Sequence, residues 1–194
     1  MGMSPAGFAL GELSEVVRRC NPNFDAMRAI SWQVEGLVVE SWRHWLEELF
    51  QPLLLPHLSR VLDFATRQSM REIILLDLEL DKSMKPWPRQ RSVAAGQLLL
   101  QQSAPRGERL MARLREAIQA GSAVGHFATL YGVGCAAFSI PARTAILSYL
   151  LQELVAGAPK DARQVKLLEA AIAPVNEFLR ISSNGLNEGL RFHG

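Results

Sequence analysis

Apolar residues recur every three to four positions along most of this chain, and clusters of Pro, Gly and Asn interrupt them. That period belongs to amphipathic helices, since a half-buried strand alternates every second residue. It predicts a helix over 11–19, stopped by Asn21-Pro22-Asn23, whose composition is that of a turn. A longer helix follows over 25–50, with Ile30, Val34, Leu37, Val38, Trp42, Trp45, Leu46 and Leu49 aligned and a bend near Gly36. Pro52 begins the next segment, where Leu54, Leu58, Val61, Leu62 and Ala65 give one stripe and Ile73, Ile74, Leu76 and Leu78 carry it on to about Leu80. Leu76, Leu78 and Leu80 also fit strand alternation, but Arg, Glu and Leu favour helix and the helical period is already running. After a break over 81–88, helices are predicted over 89–102, 108–120 and 162–179, with Pro174 bending or shortening the last.

The organising stretch is 124–157, which reads as two closely packed helices joined by a turn at Ser139-Ile140-Pro141. In the first, Gly125, Ala128, Gly132 and Ala136 share a face with almost no side-chain bulk, so another helix backbone can come near. Each glycine costs a helix about 1 kcal/mol against alanine, which packing has to offset. Pro141 suits the first turn of the second helix, where its missing N–H would be unpaired anyway. Ile146, Leu147, Leu150, Leu151 and Leu154 supply that helix with an apolar side. Helix after helix with short turns and no internal repeat predicts an all-α fold, a compact multi-helix bundle. Residues 1–180 are expected to form a single helical domain, and 181–194 a mobile C-terminal tail.

Composition narrows the function classes. A hydrophobic content of 48% is enough for one substantial core. A formal charge of +2 is too small to imply a nucleic-acid or anionic-membrane surface, so no nucleic-acid partner is expected. Cys20 and Cys135 form no zinc spacing or disulfide framework, and Cys135 reads as a reduced core thiol. The start of the chain lacks the basic-then-apolar pattern of a secretory leader, so the cytoplasm is the expected location. The uncharged interval between Glu116 and Arg143 is long enough to span a bilayer, yet Gln119, Ser122, His126, Thr129 and several glycines interrupt it. A buried helix fits it better than a membrane span.

No catalytic constellation is legible. Gly121-Ser122-Ala123-Val124-Gly125 has the wrong spacing for a nucleophile elbow, and there is no GxxxxGK[ST] phosphate loop. Asp77 and Asp81 lie one helical turn apart and could share a metal or a proton. Without histidine ligands or a second acidic pair they read as a solvated face beside Arg71 and Lys82, and no metal or cofactor is expected. His126 interrupts a small apolar surface, where a lone histidine suits a hydrogen bond across a helix interface better than a metal. Trp42 and Trp45, three residues apart, make either a core face or an aromatic contact surface for a partner. Trp87 stands between Pro86 and Pro88, which restrict the backbone and can present the ring outward.

Two blocks resemble the urease accessory protein UreF family. Residues 76–100, LDLELDKSMKPWPRQRSVAAGQLLL, resemble the family's acidic helix, a break, and a helix with a small residue before a leucine pair, here Gly96, Leu98 and Leu99. Residues 125–154 resemble its glycine-bearing helix followed by a leucine-rich one, through Gly125-His126-Phe127, Tyr131-Gly132, Ala136-Ala137, Ile140, Leu147, Tyr149 and Leu150. The chain departs from the family's Pro-Leu-Gly-Gln turn, offering Pro159-Lys160-Asp161-Ala162 instead, and keeps only Glu188, Arg191 and His193 of its His-Glu and basic C-terminal pattern. The resemblance implies a non-catalytic, homodimeric adaptor in nickel-urease maturation, bridging an accessory GTPase and a urease-binding accessory protein on apo-urease. Trp42, Trp45, Trp87, His126, Arg191 and His193 are the candidate partner-binding residues. The alternative is a helical regulatory or protein-interaction module outside urease maturation.

Overall fold

Local sequence chemistry sets where the helices begin and end. The computed structural model describes residues 10–22, 38–102, 109–157 and 163–189, and among them every regular element is helical. Helix α1 (Leu10–Cys20) buries Leu13, Val16, Val17 and Cys20 on the face its apolar period marks out. Helix α2 (Val38–Trp45) runs without a break into a π-helical stretch, Leu46–Leu54, and on into α3 (Leu55–Thr66). Pro52 does not begin a new segment here. It has no N–H to give the ordinary ladder, and the helix widens around it until Leu55 N–H donates to Phe50 five residues back. Residues 23–37, with Ile30, Val34, Gly36 and Leu37, lie outside the described residues.

A turn absent from the periodic pattern separates α3 from α4 (Met70–Ser83). Gln68 takes φ +58°, and Ser69 N–H reaches back to Phe64 O while Gln68 N–H reaches Ala65 O. This is the paired bonding of a left-handed helix cap, usually built on glycine. Helix α4 is helical throughout, which settles the helix-or-strand ambiguity of its leucines, and it runs to Ser83, beyond the expected stop at Leu80. The break before α5 (Pro86–Gln102) shrinks to Met84 and Lys85, because Pro86 fits a first turn that has no N–H partner to lose. Helices α6 (Arg109–Gln119), α7 (Phe127–Ala137), α8 (Ala142–Gly157) and α9 (Gln164–Gly189) complete the described chain. Helix α9 carries Pro174 within it and runs past Ile181 to Gly189, into the stretch expected as the C-terminal tail.

Helices α7 and α8 are the most deeply buried. Every residue from Phe127 to Cys135 is buried, as is every one from Ala145 to Leu154. They are not packed along one another as the sequence suggests. The main neighbours of α7 are α3 and α5, and those of α8 are α1 and α9. Aromatic rings carry the contact between them, with Tyr149 5.6 Å from Phe127 and 5.7 Å from Tyr131, centroid to centroid. Gly132 lies against Val61 and Leu58 of α3, Ala128 is fully buried, and Ala136 packs half-buried on the core. Pro141 directly precedes α8 and supplies the carbonyl that accepts Ala145 N–H.

Gly125 does not belong to the helix. With φ +85° it sits in the connection ahead of α7, whose first residue is Phe127. Small residues at helical spacing extend the pattern back to it, but this φ suits glycine and breaks a right-handed helix. Its carbonyl presses on Gly96 of α5, where a Cβ would overlap the oxygen. Among the described residues no helix is long and apolar enough to cross a membrane.

Candidate functional site: a buried carboxylate beneath an exposed tryptophan

Asp77 is the residue that linear reading places wrongly. It is 0% exposed, on the face of α4 that also buries Ile73, Leu76 and Leu80, and so not on a solvated surface. Its Oδ2 accepts Val124 N–H at 2.7 Å and Gly125 N–H at 2.8 Å. Its Oδ1 accepts His126 N–H at 3.0 Å and the Thr129 hydroxyl at 2.7 Å. The first backbone N–H groups of a helix have no partner within it, and they carry the positive end of its dipole. His126 stands at the N-cap of α7 without a side-chain capping bond, and the carboxylate from α4 binds its N–H and those of the two residues before it, just ahead of the first helical residue, Phe127. The available signal was positional: Asp77 falls within the apolar stripe of its own helix.

The network extends both ways from Asp77. The hydroxyl hydrogen of Thr129 goes to the carboxylate, so its oxygen accepts Nε2–H of His57 at 2.9 Å. Burial lowers the His57 pKa to about 4 against the opposing pull of Asp77, leaving the ring neutral near pH 7. On the other side, Nε2 of His126 stands 3.1 Å from Asp81 Oδ1, and its Nδ1 stands 3.1 Å from Ser92 Oγ. A carboxylate only accepts, so Nε2 carries the proton and Nδ1 accepts the Ser92 hydroxyl. Burial lowers the His126 pKa, with Asp77 and Asp81 opposing it, which keeps that tautomer neutral. Burial raises the Asp81 pKa, but hydrogen bonds from Arg89 and His126 outweigh it and hold the carboxyl below its usual range.

Ser92, His126 and Asp81 thus form a serine–histidine–carboxylate chain. Ser92 is 0% exposed, so no substrate reaches its oxygen, and the chain fastens α5 to α4 and to the start of α7. Among the described residues no group of three or more His, Cys, Asp or Glu side chains is arranged to hold a metal. His126 is fully buried in this chain and bonds across a helix interface, to Ser92 of α5 and Asp81 of α4.

Arg89 closes the network at the surface, binding Asp81 through Nε at 2.6 Å and Nη2 at 3.1 Å. It lies two residues from Trp87, which is 46% exposed on the first turn of α5 with the Arg91 guanidinium 5.1 Å above its ring. Trp42 and Trp45 are in a different position. They are 1% and 2% exposed, stacked 5.0 Å apart, and Trp42 Nε1–H donates to Leu167 O at 3.0 Å. Both are core residues within this chain, because their apolar neighbours on α2 turn inward with them. Arg191 and His193 lie outside the described residues.

Among the described residues every regular element is helical, and Asp77, His57 and His126 are engaged in bonds that hold helices together. The chain belongs to the UreF family, whose model matches residues 39–156, more than half of its length. The family serves urease maturation as accessory proteins and not as catalysts. Among curated proteins no sequence matches the chain.

Proposed function

We propose that the chain is a non-catalytic cytoplasmic adaptor that works as a homodimer. It bridges the accessory GTPase and a urease-binding accessory protein and so assists nickel delivery to apo-urease. The observation that carries this reading is the exposed Trp87, braced by Arg91 on the first turn of a helix that Arg89, Asp81 and His126 anchor to the core. The family match over 39–156 supports it, because that span includes both the Asp77 network and Trp87. Exposed aromatic and arginine side chains on a rigid element are favoured anchors for protein partners. A surface held in place by a buried network loses little entropy on binding.

The test is co-purification with the cognate accessory proteins and apo-urease, read by native mass spectrometry and by nickel content. Stoichiometric assembly that raises nickel incorporation supports the adaptor. A folded protein that assembles with none of them overturns it and leaves a helical interaction module outside urease maturation. Trp87→Ala is expected to lower capture at least about tenfold while melting stays within a few degrees. Unchanged capture removes Trp87 from the interface.

A further inference from the structure

Cys20 ends α1 and Cys135 lies near the end of α7, 115 positions further along, and they are the chain's two cysteines. Their sulfurs meet at 3.5 Å, with the Cys135 S–H directed at the Cys20 sulfur. Cys20 is 7% exposed and Cys135 is 0% exposed. A single buried thiol behaves as a small, inert hydrophobe. Two in contact differ, because a thiol that is oxidised already has a resolving partner beside it. The sulfurs need to close by about 1.5 Å to reach the ordinary disulfide length of about 2.05 Å.

We propose that Cys20 and Cys135 form an oxidative modification site, at which a peroxide makes an intramolecular disulfide that ties the end of α1 to α7. Cys20 reacts first. It accepts the Cys135 hydrogen bond, and it ends a helix next to a turn, where local opening admits a small oxidant. The hydrogen bond to Cys20, together with burial, raises the Cys135 pKa and keeps that thiol protonated until its turn. Cys20 gives up its proton as its sulfur attacks one peroxide oxygen, the O–O bond breaks, and the departing hydroxide takes up that proton as water. The Cys135 sulfur then attacks the Cys20 sulfenic acid, forming the S–S bond and breaking the S–O bond. Hydroxide leaves with the Cys135 proton as a second water. Two thiols have lost two electrons and the peroxide has gained them.

The consequence falls on α1. In the reduced chain it is held on α8 and α7 by its apolar face and by the bond from Asn21 Nδ2 to Gln152 Oε1 at 3.0 Å. A covalent tie closing a loop this long restrains the unfolded chain strongly.

The experiment treats the reduced full-length protein with hydrogen peroxide, then denatures it in N-ethylmaleimide and measures its intact mass. The expected product has lost two hydrogens, takes up no maleimide and yields a cross-linked peptide pair holding Cys20 and Cys135. Its Tm rises by about 5–15 °C, and dithiothreitol reverses the rise. Cys135→Ser is expected to stop at a sulfenic acid on Cys20 that dimedone traps, and Cys20→Ser to show no hydrogen loss. Two maleimide additions after peroxide, added oxygen in place of lost hydrogen, or disulfide-linked dimers would each overturn the proposal. The wild-type mass decides the matter even if a serine variant fails to fold.

Discussion

Asp77 accepts the Thr129 hydroxyl at 2.7 Å, and this contact fixes the first turn of α7 to the middle of α4. The backbone N–H groups of Val124, Gly125 and His126, which lead into α7, converge on the same carboxylate, so a single side chain fixes the entry to that helix. Asp77→Asn puts an amide N–H₂ where one oxygen accepts, facing donors with a donor. Hydrogen bonds to a buried charge are worth more than neutral ones, so the expected loss is about 3 kcal/mol or more. Urea denaturation measures it, with the denaturant slope unchanged. A loss below about 0.5 kcal/mol would mean that the carboxylate does not hold α7.

Glycine substitutions should separate by what stands in front of the new methyl group. At Gly96 the Cβ meets the Gly125 carbonyl, which is backbone and cannot turn aside. At Gly132 it meets Val61 Cγ1 at 2.8 Å, a side chain that can shift. At Gly11 nothing lies within 4 Å, and alanine favours the helix. Gly96→Ala should therefore cost the most, about 2 kcal/mol or more, Gly132→Ala less, and Gly11→Ala nothing. Thermal melting of the three variants checks the order, and equal melting temperatures for Gly96→Ala and Gly11→Ala would refute the close α5 contact.

Acid should weaken the fold through its buried histidines. The folded His57 titrates at about 4 against 6.5 for a free histidine, so the unfolded chain binds more protons between those values. Stability is fully present above about pH 6.5 and is lost as pH falls toward 4, by on the order of 3 kcal/mol from His57 alone. His126, lowered in the same direction, adds to the slope. His57→Gln keeps a donor for Thr129 and removes the titration, so its stability should fall less between about pH 7 and pH 4.5. Denaturation curves at the two pH values decide it: parallel losses in both proteins would place the acid sensitivity elsewhere.

The tryptophans should divide by location. Trp42→Ala empties a fully buried, hydrogen-bonded site and should cost about 3–5 kcal/mol. Trp87→Ala removes a ring that is 46% exposed and should cost less than about 1 kcal/mol. Chemical denaturation followed by circular dichroism compares them, and a Trp87 loss as large as that of Trp42 would make Trp87 a core residue.

Helix content and the order of the elements could be read directly from the chain, because a helix is written in contacts three and four residues apart. The family was legible only through the resemblance of residues 76–100 and 125–154. The apolar stripe of α3 falls where the period puts it, whereas α8 is buried on all sides from Ala145 to Leu154 and not only on its leucine face. Among the local features that escaped that reading are the turn at Gln68, which takes a left-handed φ without glycine, and the π-helical passage through Pro52. Only the tertiary structure decided the roles of the chemical residues. Asp77 finds its partners 47 to 52 positions away, and Cys20 meets Cys135 across 115. Local pattern says which face of a helix is apolar. Whether an acid on that face is solvated, or buried against the open end of another helix, depends on which helix packs there.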